Sequence, residues 1–525
     1  MSQMLKSSGA MAAATMFSRI MGMAREVVYS GFMGADPVAG AFYTAFMIPN
    51  LFRRLLGEGA LTAAFIPIFK EKEKTSSQEE MWRAANAVIS GLAASASVIS
   101  ILAMAGISIA LALGPHQEKT ELVLRLLRIM FPYMLLVCLT AVFIGMLNAR
   151  GHFFIPASGA LVMNAVMIAS VYLLAPRMGT TLKTQIYALA FGVLVAGVAQ
   201  AVFQLPSLRA EGFRYHWVSP WGDATVKRVV RQMIPGTLGV AAFQINVLTT
   251  QGVAYWVDPS IVALFNYSVR LMELPQGVFG ISLATYLLPT LSGLAAEKKH
   301  DEFRSTLNNG IDHLVFVNLL ASIMLGVLAE PIIRLLFEHG KFVPADSPKA
   351  ALALMCLAPG LVAFSLVNIL ARAFYALGDT KTPMKISVFC LAINLVFSLA
   401  LVWKLRQGGL GLANTLSACF NVGLLFHALR RKLGRLEYGA LRQMLRPILI
   451  AGAVAGVTAW LASTKWETTL GHRNLAMKLG AVFVPMTAAG LIYWGLTLWF
   501  KVPPALEIGN LVLQRLKPGR SGEGR

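Results

Sequence analysis

The chain has 525 residues, 56% of them hydrophobic and only 14% charged, with a mean hydropathy of +0.64. A soluble chain carries about 25% charged residues, so this composition excludes a water-soluble enzyme and points to an all-α protein that crosses a membrane many times. A net charge of +21 would suit a nucleic-acid binder, but the basic residues sit in short loops between apolar runs, so no nucleic-acid partner is expected.

The first apolar run, 7–32, carries Arg19, Arg25 and Glu26. A cleaved signal needs an uncharged core, so the N-terminus is read as retained. Further runs follow at 37–69, 84–113, 122–149, 155–176, 184–206, 228–256, 260–295, 304–330, 349–376, 383–404, 408–430, 442–463 and 475–500, making fourteen. Each holds the roughly 20 apolar residues a spanning helix needs. The longest imply kinks, and Pro49, Pro132, Pro275 and Pro359 are placed to bend or break their helices. Lys70, Lys72, Lys74, Arg209, Arg214, Arg228, Lys298, Arg430 and Arg431 fall in alternate loops, while outer turns such as 31–36 and 257–260 carry no basic residue. The positive-inside rule therefore predicts cytoplasmic termini. The last twenty or so residues are polar and read as a loose tail.

Two stretches repeat. Asp36-Pro37 and Pro67 match Asp258-Pro259 and Pro289, 222 residues later. Ala149-x-Gly151 and Pro156 match Ala376-x-Gly378 and Pro383, 227 residues later. The interval equals six segments, an even number, which predicts two parallel six-helix lobes around a central cationic cavity. Residues 1–220 would form the N-terminal lobe and 221–435 the C-terminal lobe. Residues 436–525 would hold two additional helices and the tail.

Arginines at bilayer depth cost at least about 2.5–3.5 kcal/mol each to insert, so they normally face a cavity. Arg19, Arg25, Arg53 and Arg270 are such residues, and cations lining a cavity imply an anionic guest. At 100° per residue, Arg19 shares a stripe with Glu26, and Arg25 shares another with Ser18. The competing reading is internal neutralisation through Arg25–Glu26, Arg54–Glu58 and Arg270–Glu273. A polar run at Gln244, Asn246, Thr249, Thr250 and Gln251 fits a cavity wall or interhelical bonding equally well. Asn394 and Ser398, one turn apart, are a candidate cation site, with plain interhelical bonding as the alternative. No phosphate-binding loop is present, the eight histidines lack metal-ligand spacing, and the four cysteines sit in apolar runs, so no cofactor, metal or disulfide frame is expected.

The stretches Met16-Phe-Ser-Arg-Ile-Met-Gly-Met-Ala-Arg-Glu26, Ile48-Pro-Asn-Leu-Phe-Arg-Arg54 with Gly57-Glu-Gly-Ala60, and Arg270-Leu-Met-Glu-Leu-Pro275 resemble the MurJ (MviN) family. That family comprises the lipid II flippases of the multidrug/oligosaccharidyl-lipid/polysaccharide exporter superfamily. The resemblance implies a fourteen-helix, non-enzymatic transporter of the bacterial cytoplasmic membrane. Its cargo would be undecaprenyl-diphosphate-linked peptidoglycan precursor, moved from the inner to the outer leaflet. It further implies that Arg19, Arg25, Arg53 and Arg270 contact diphosphate and head group. Asn50, Ser18, Glu26, Glu58 and Glu273 would lie in support, and the last two helices would groove the lipid tail. A monomer surrounded by membrane lipids, with cell-wall synthesis proteins as candidate partners, completes this picture.

Three positions depart from the family pattern. Gly40 stands where an Asp is common, Met47 where a base is common, and Val269 where an acid often precedes the arginine. Asp36, one turn from Gly40, is the nearest carboxylate. The competing functions are a flippase for another polyprenyl-diphosphate glycan and a multidrug antiporter of the same fold. A drug-cation exporter would call for buried carboxylates without excess arginine, and a scaffold would gain nothing from buried charge.

Overall fold

A computed structural model describes residues 2–55, 61–114, 117–434 and 438–516 of the chain. Among them the structure is helical throughout, without strands. Every expected apolar run is, among the described residues, a helix or a broken pair of helices. The helices are α1 (Ser2–Met33), α2 (Pro37–Phe52), α3 (Leu61–Thr75), α4 (Gln78–Ala112), α5 (Glu118–Met130), α6 (Tyr133–Ala149), α7 (Phe154–Ala169), α8 (Ala175–Met178), α9 (Leu182–Ala210) and α10 (Ala224–Val257). They continue as α11 (Pro259–Pro275), α12 (Ser282–Ala296), α13 (His300–Val327), α14 (Ala329–Phe337), α15 (Ser347–Leu357), α16 (Gly360–Ala376), α17 (Lys381–Leu405), α18 (Gln407–Leu433), α19 (Tyr438–Thr469), α20 (Leu475–Trp499) and α21 (Pro503–Leu516). Nine helices among the described residues are long and apolar enough to cross a membrane, or eleven when each of two bent pairs counts as one. The fourteen segments of the sequence are compatible with that number. The last helix, α21, corrects one expectation, because it occupies residues assigned to a loose polar tail.

Three of the four prolines expected to bend or break their helices stand at breaks, whereas Pro49 lies inside α2, which continues to Phe52. Both bent pairs turn by 41°, one at Phe131-Pro132 and the other at Ala358-Pro359. Pro275 ends α11 and opens a π-helical turn, Gln276–Ile281. A π-helical turn also follows α2 at residues 53–55. The two turns fall at corresponding places in the 222-residue repeat. A backbone break at membrane depth is tolerated only where protein or a wet cavity receives the freed groups, and such breaks are common at functional positions.

The repeat extends to individual hydrogen bonds. After α6, Arg150 N–H donates to Met146, Gly151 to Asn148 and His152 to Leu147. After α16, Leu377 donates to Ala373, Gly378 to Tyr375 and Asp379 to Phe374, each 227 residues on. Gly151 and Gly378 hold φ of +88° and +73° at the left-handed position such a cap requires. Asp36 and Asp258 likewise cap the helices beginning at the following prolines, accepting from Val38 N–H at 2.8 Å and Ser260 N–H at 2.9 Å.

By compactness the chain forms one unit of Met1–Leu264 with His339–Val343 and another of Phe265–Glu338 with Pro344–Arg525. In the first unit α1 packs on α7, α7 on α9, α2 on α5, and α10 against α2, α3 and α4. In the second, α17 pairs with α18, α19 with α20, and α16 lies among α12, α13 and α18. The first unit has an aromatic cluster near the ends of α3 and α4, where Trp82 meets Phe69 at 5.6 Å and Phe213 at 5.5 Å between ring centres. Beside it, Arg150 donates to Glu211 at 2.7 Å and Glu73 at 2.5 Å, and His152 bonds Glu211 at 2.7 Å. Lys70 and Arg150 hold the Glu73 carboxyl below the usual carboxylate range, while His152 and Arg150 do the same for Glu211.

Both carboxyls are depressed in the folded chain, so their stabilisation is complete above their ordinary value of 4.5 and is lost as pH falls through the folded value. We expect the unfolding midpoint of the detergent-solubilised protein to drop between about pH 5 and 3. In Glu211→Gln that drop should be shallower and the midpoint at neutral pH lower; parallel curves for the two proteins would contradict it.

Candidate functional site

The arginines of α1 lie on one continuous helix. Arg25 is mostly buried, and its Nη2 reaches Glu26 Oε1 at 2.6 Å. Glu26 is 5% exposed, too little for hydration alone to hold a carboxylate, so its second oxygen matters. Tyr43 of α2 supplies that bond, donating its hydroxyl to Oε2 at 2.7 Å. The Arg25 guanidinium also lies 5.6 Å from the centre of the Tyr29 ring, within cation–π range. Arg25 Nε is buried and has no hydrogen-bond partner among the described residues. The result is a charge pair whose buried Nε–H is unpaired.

Arg19 is half-buried and forms no ion pair or hydrogen bond among the described residues. Ser18, beside it, accepts a long bond of 3.5 Å from Asn164 of α7 through its carbonyl. At the far end of α2, Arg53 Nε donates to Asn50 Oδ1 at 2.8 Å, so the expected support from Asn50 is a direct contact. Glu58, and with it the Arg54–Glu58 pair, lies outside the described residues. In the second unit Arg270 bonds Glu273 at 3.0 Å, both side chains partly exposed. Internal neutralisation therefore operates at Arg25–Glu26 and Arg270–Glu273. It leaves Arg19 and one edge of Arg25 uncommitted.

The departure at position 40 has a steric cause. A Cβ on Gly40 would lie 1.9 Å from the carbonyl oxygen of Pro259, so α2 and the start of α11 touch backbone to backbone. An aspartate cannot occupy this site without moving one of them. Asp36 does not replace it, since its Oδ1 caps α2.

The remaining candidates lie on other helices. Asn394 is buried and donates to Asn414 Oδ1 of α18 at 3.0 Å, while Ser398 Oγ is buried without a partner among the described residues. No cluster of three or more His, Cys, Asp or Glu side chains suited to a metal occurs among the described residues. On α10, Gln244 and Thr250 are buried while Thr249 is exposed and bonds Ile245, so the polar run faces both ways. Cys138 and Cys390 are buried, whereas Cys419 is exposed and not a core residue. Sequence periodicity did not point to Tyr43 or Tyr29. A tyrosine in an apolar run carries no signal until its partner carboxylate is located.

A family model described as lipid II flippase MurJ matches residues 29–479. The chain belongs to the MurJ family. Named relatives agree with that membership. The lipid II flippase MurJ of Burkholderia cenocepacia is 33% identical over 458 residues, covering 85% of this chain and 88% of its own length. The probable lipid II flippase MurJ of Vibrio cholerae is 32% identical over 439 residues, covering 81% and 83%. A solved lipid II flippase MurJ in an inward closed conformation superposes with a TM-score of 0.74 at 21% identity, over 94% of this chain and 98% of that one. An inward-facing multidrug resistance MATE transporter of the MOP superfamily superposes at 0.63 with 16% identity, over 82% and 99%. At these identities the superpositions establish the fold alone. Family and apolar helices together make this a multi-pass protein of the bacterial inner membrane and a MurJ-type transporter.

Removing the hydroxyl in Tyr43→Phe should lower the unfolding midpoint, since a hydrogen bond to a buried charge contributes about 1.5–3 kcal/mol. Gly40→Ala should lower it as well, because overpacking a close crossing costs about 1–3 kcal/mol. A thermal-shift assay on purified protein measures both. An unchanged midpoint in Gly40→Ala would show that the crossing can open freely.

Proposed function

We propose that this chain carries undecaprenyl-diphosphate-linked peptidoglycan precursor, lipid II, from the inner to the outer leaflet by alternating access. The observation that supports the chemistry is the buried Arg25 with its unpartnered Nε, close in sequence to the uncommitted Arg19. A guanidinium donates in parallel to two phosphate oxygens, and a diphosphate has oxygens to fill both arginines. Arg53, oriented by Asn50 at a π-helical turn, is a third phosphate ligand, and Arg270 of the second unit is a further contact. Glu26 and Glu273 keep the cations oriented while the cargo is absent. With its positive-inside loops, the chain has both termini in the cytoplasm, and it works as a monomer.

The MATE-type fold does not itself separate a drug exporter from a lipid flippase. Sequence identity to the MurJ relatives favours the flippase, and so does the surplus of arginine.

Cargo is identified by depleting the protein in its host and measuring which lipid-linked precursor accumulates on the inner leaflet. Accumulation of lipid II is expected; accumulation of a different polyprenyl-diphosphate glycan would overturn the assignment. Arg19→Ala should lower transport roughly ten- to a hundredfold, the factor for one lost charge-assisted bond, without loss of folding. Arg19→Lys should restore part of it. Full transport by Arg19→Ala and Arg53→Ala together would remove these residues from the site.

The energy for return has a natural source in the membrane potential. Each charge moved through the field contributes about 2.3 kcal/mol per 100 mV, and an inside-negative potential draws an emptied cationic site toward the cytoplasm. Collapsing the potential at fixed pH gradient and precursor supply should slow flux in reconstituted vesicles. Equal flux with and without potential would exclude this coupling.

A further inference from the structure

Beside the C-terminal end of α1, Phe32, Val171, Tyr172, Gln185, His339 and Lys341 line a cleft of about 360 Å³. It belongs wholly to the first unit, because the segment His339–Val343 packs there while the residues on either side cluster with the second. Backbone contacts fix that segment on α1. Lys341 N–H donates to the Gly31 carbonyl at 2.8 Å. Gly34 and Gly340 both have φ of +60°. A Cβ on Gly34 would lie 2.3 Å from the Lys341 carbonyl oxygen, and one on Gly340 2.3 Å from that of Gly31. Gly31 itself leaves the room that the His339 ring occupies, since a Cβ there would come within 2.6 Å of it. These contacts fix against α1 the backbone that carries His339 and Lys341, whose side chains are both exposed.

The Lys341 ammonium lies 5.4 Å from the centre of the Phe32 ring. No carboxylate pairs with it among the described residues. Gln185 and His339 are the other polar side chains of the lining, the rest is apolar or aromatic, and Tyr172 at the rim is exposed at 64%. In a membrane-spanning chain such a rim faces acyl chains, and aromatic side chains at helix ends mark the headgroup level.

We propose that this cleft binds an anionic glycerophospholipid of the leaflet at which α1 ends. Lys341 and His339 would hold the phosphate, and an acyl chain would run along Val171 and Tyr172. Charge complementarity selects the occupant. A soluble anion gains nothing from the apolar walls, and a zwitterionic lipid brings its own cation against Lys341. The site is separate from the arginines of the transport reading, so lipid binding and transport can fail independently.

The test uses the purified full-length protein, with bound lipid counted by native mass spectrometry during titration with phosphatidylglycerol or phosphatidylcholine. We expect preferential phosphatidylglycerol binding that weakens roughly fivefold in Lys341→Met, the factor for one lysine–lipid contact. Methionine keeps the stem over Phe32 and removes only the charge. Lys341→Arg should retain the preference, and His339→Gln should lose part of it. Equal phosphatidylglycerol binding by wild type and Lys341→Met would overturn the proposal. So would a Lys341-dependent site that takes undecaprenyl diphosphate but not phosphatidylglycerol.

Discussion

A carboxylate buried at bilayer depth is tolerated only when both of its oxygens are answered, and Glu26 sets that condition for the first unit. Arg25 answers one oxygen and Tyr43 the other, so α1 and α2 are tied at one register. The Tyr29 ring lies 5.6 Å from the guanidinium and adds a cation–π contact on its face. The same arrangement explains how an arginine can be both neutralised and available. Its Nη2 is committed to Glu26, while its buried Nε has no partner among the described residues.

The two matched halves share caps and turns but not charges. Asp36 and Asp258 cap alike, and the turns after α6 and α16 form the same three hydrogen bonds. Arg53, at the first π-helical turn, corresponds to Pro275 at the second, and Arg270 corresponds to Ile48. A repeated frame thus carries an asymmetric set of cations. That is what a cargo with a charged head and an apolar tail requires, because its two ends cannot be met by identical surfaces.

The helices were legible in the sequence because apolar runs between basic loops leave lipid-facing backbone no alternative to the helix. The breaks at Pro132, Pro275 and Pro359 were legible for the same reason, since proline removes a donor wherever it stands. Arg25–Glu26 and Arg270–Glu273 could be paired from spacing alone. The Glu26–Tyr43 bond could not, because it joins residues on different helices whose relative rotation no periodicity encodes. Gly40 read as a missing acid when it is a contact. A glycine records that something comes close without recording what. The helix at Pro503–Leu516 was missed because it is too short to span a membrane and precedes the polar residues 517–525.

The Gly40–Pro259 crossing also limits how this chain can exchange parts with its relatives. Where α2 has an aspartate at this position, the facing backbone must stand farther off. A graft of that helix into this protein would bring in a side chain with nowhere to go. Residues 37–52 therefore fit only against the turn at 257–260 as this chain builds it. A side chain at position 40 would meet a carbonyl more than two hundred residues away in the sequence.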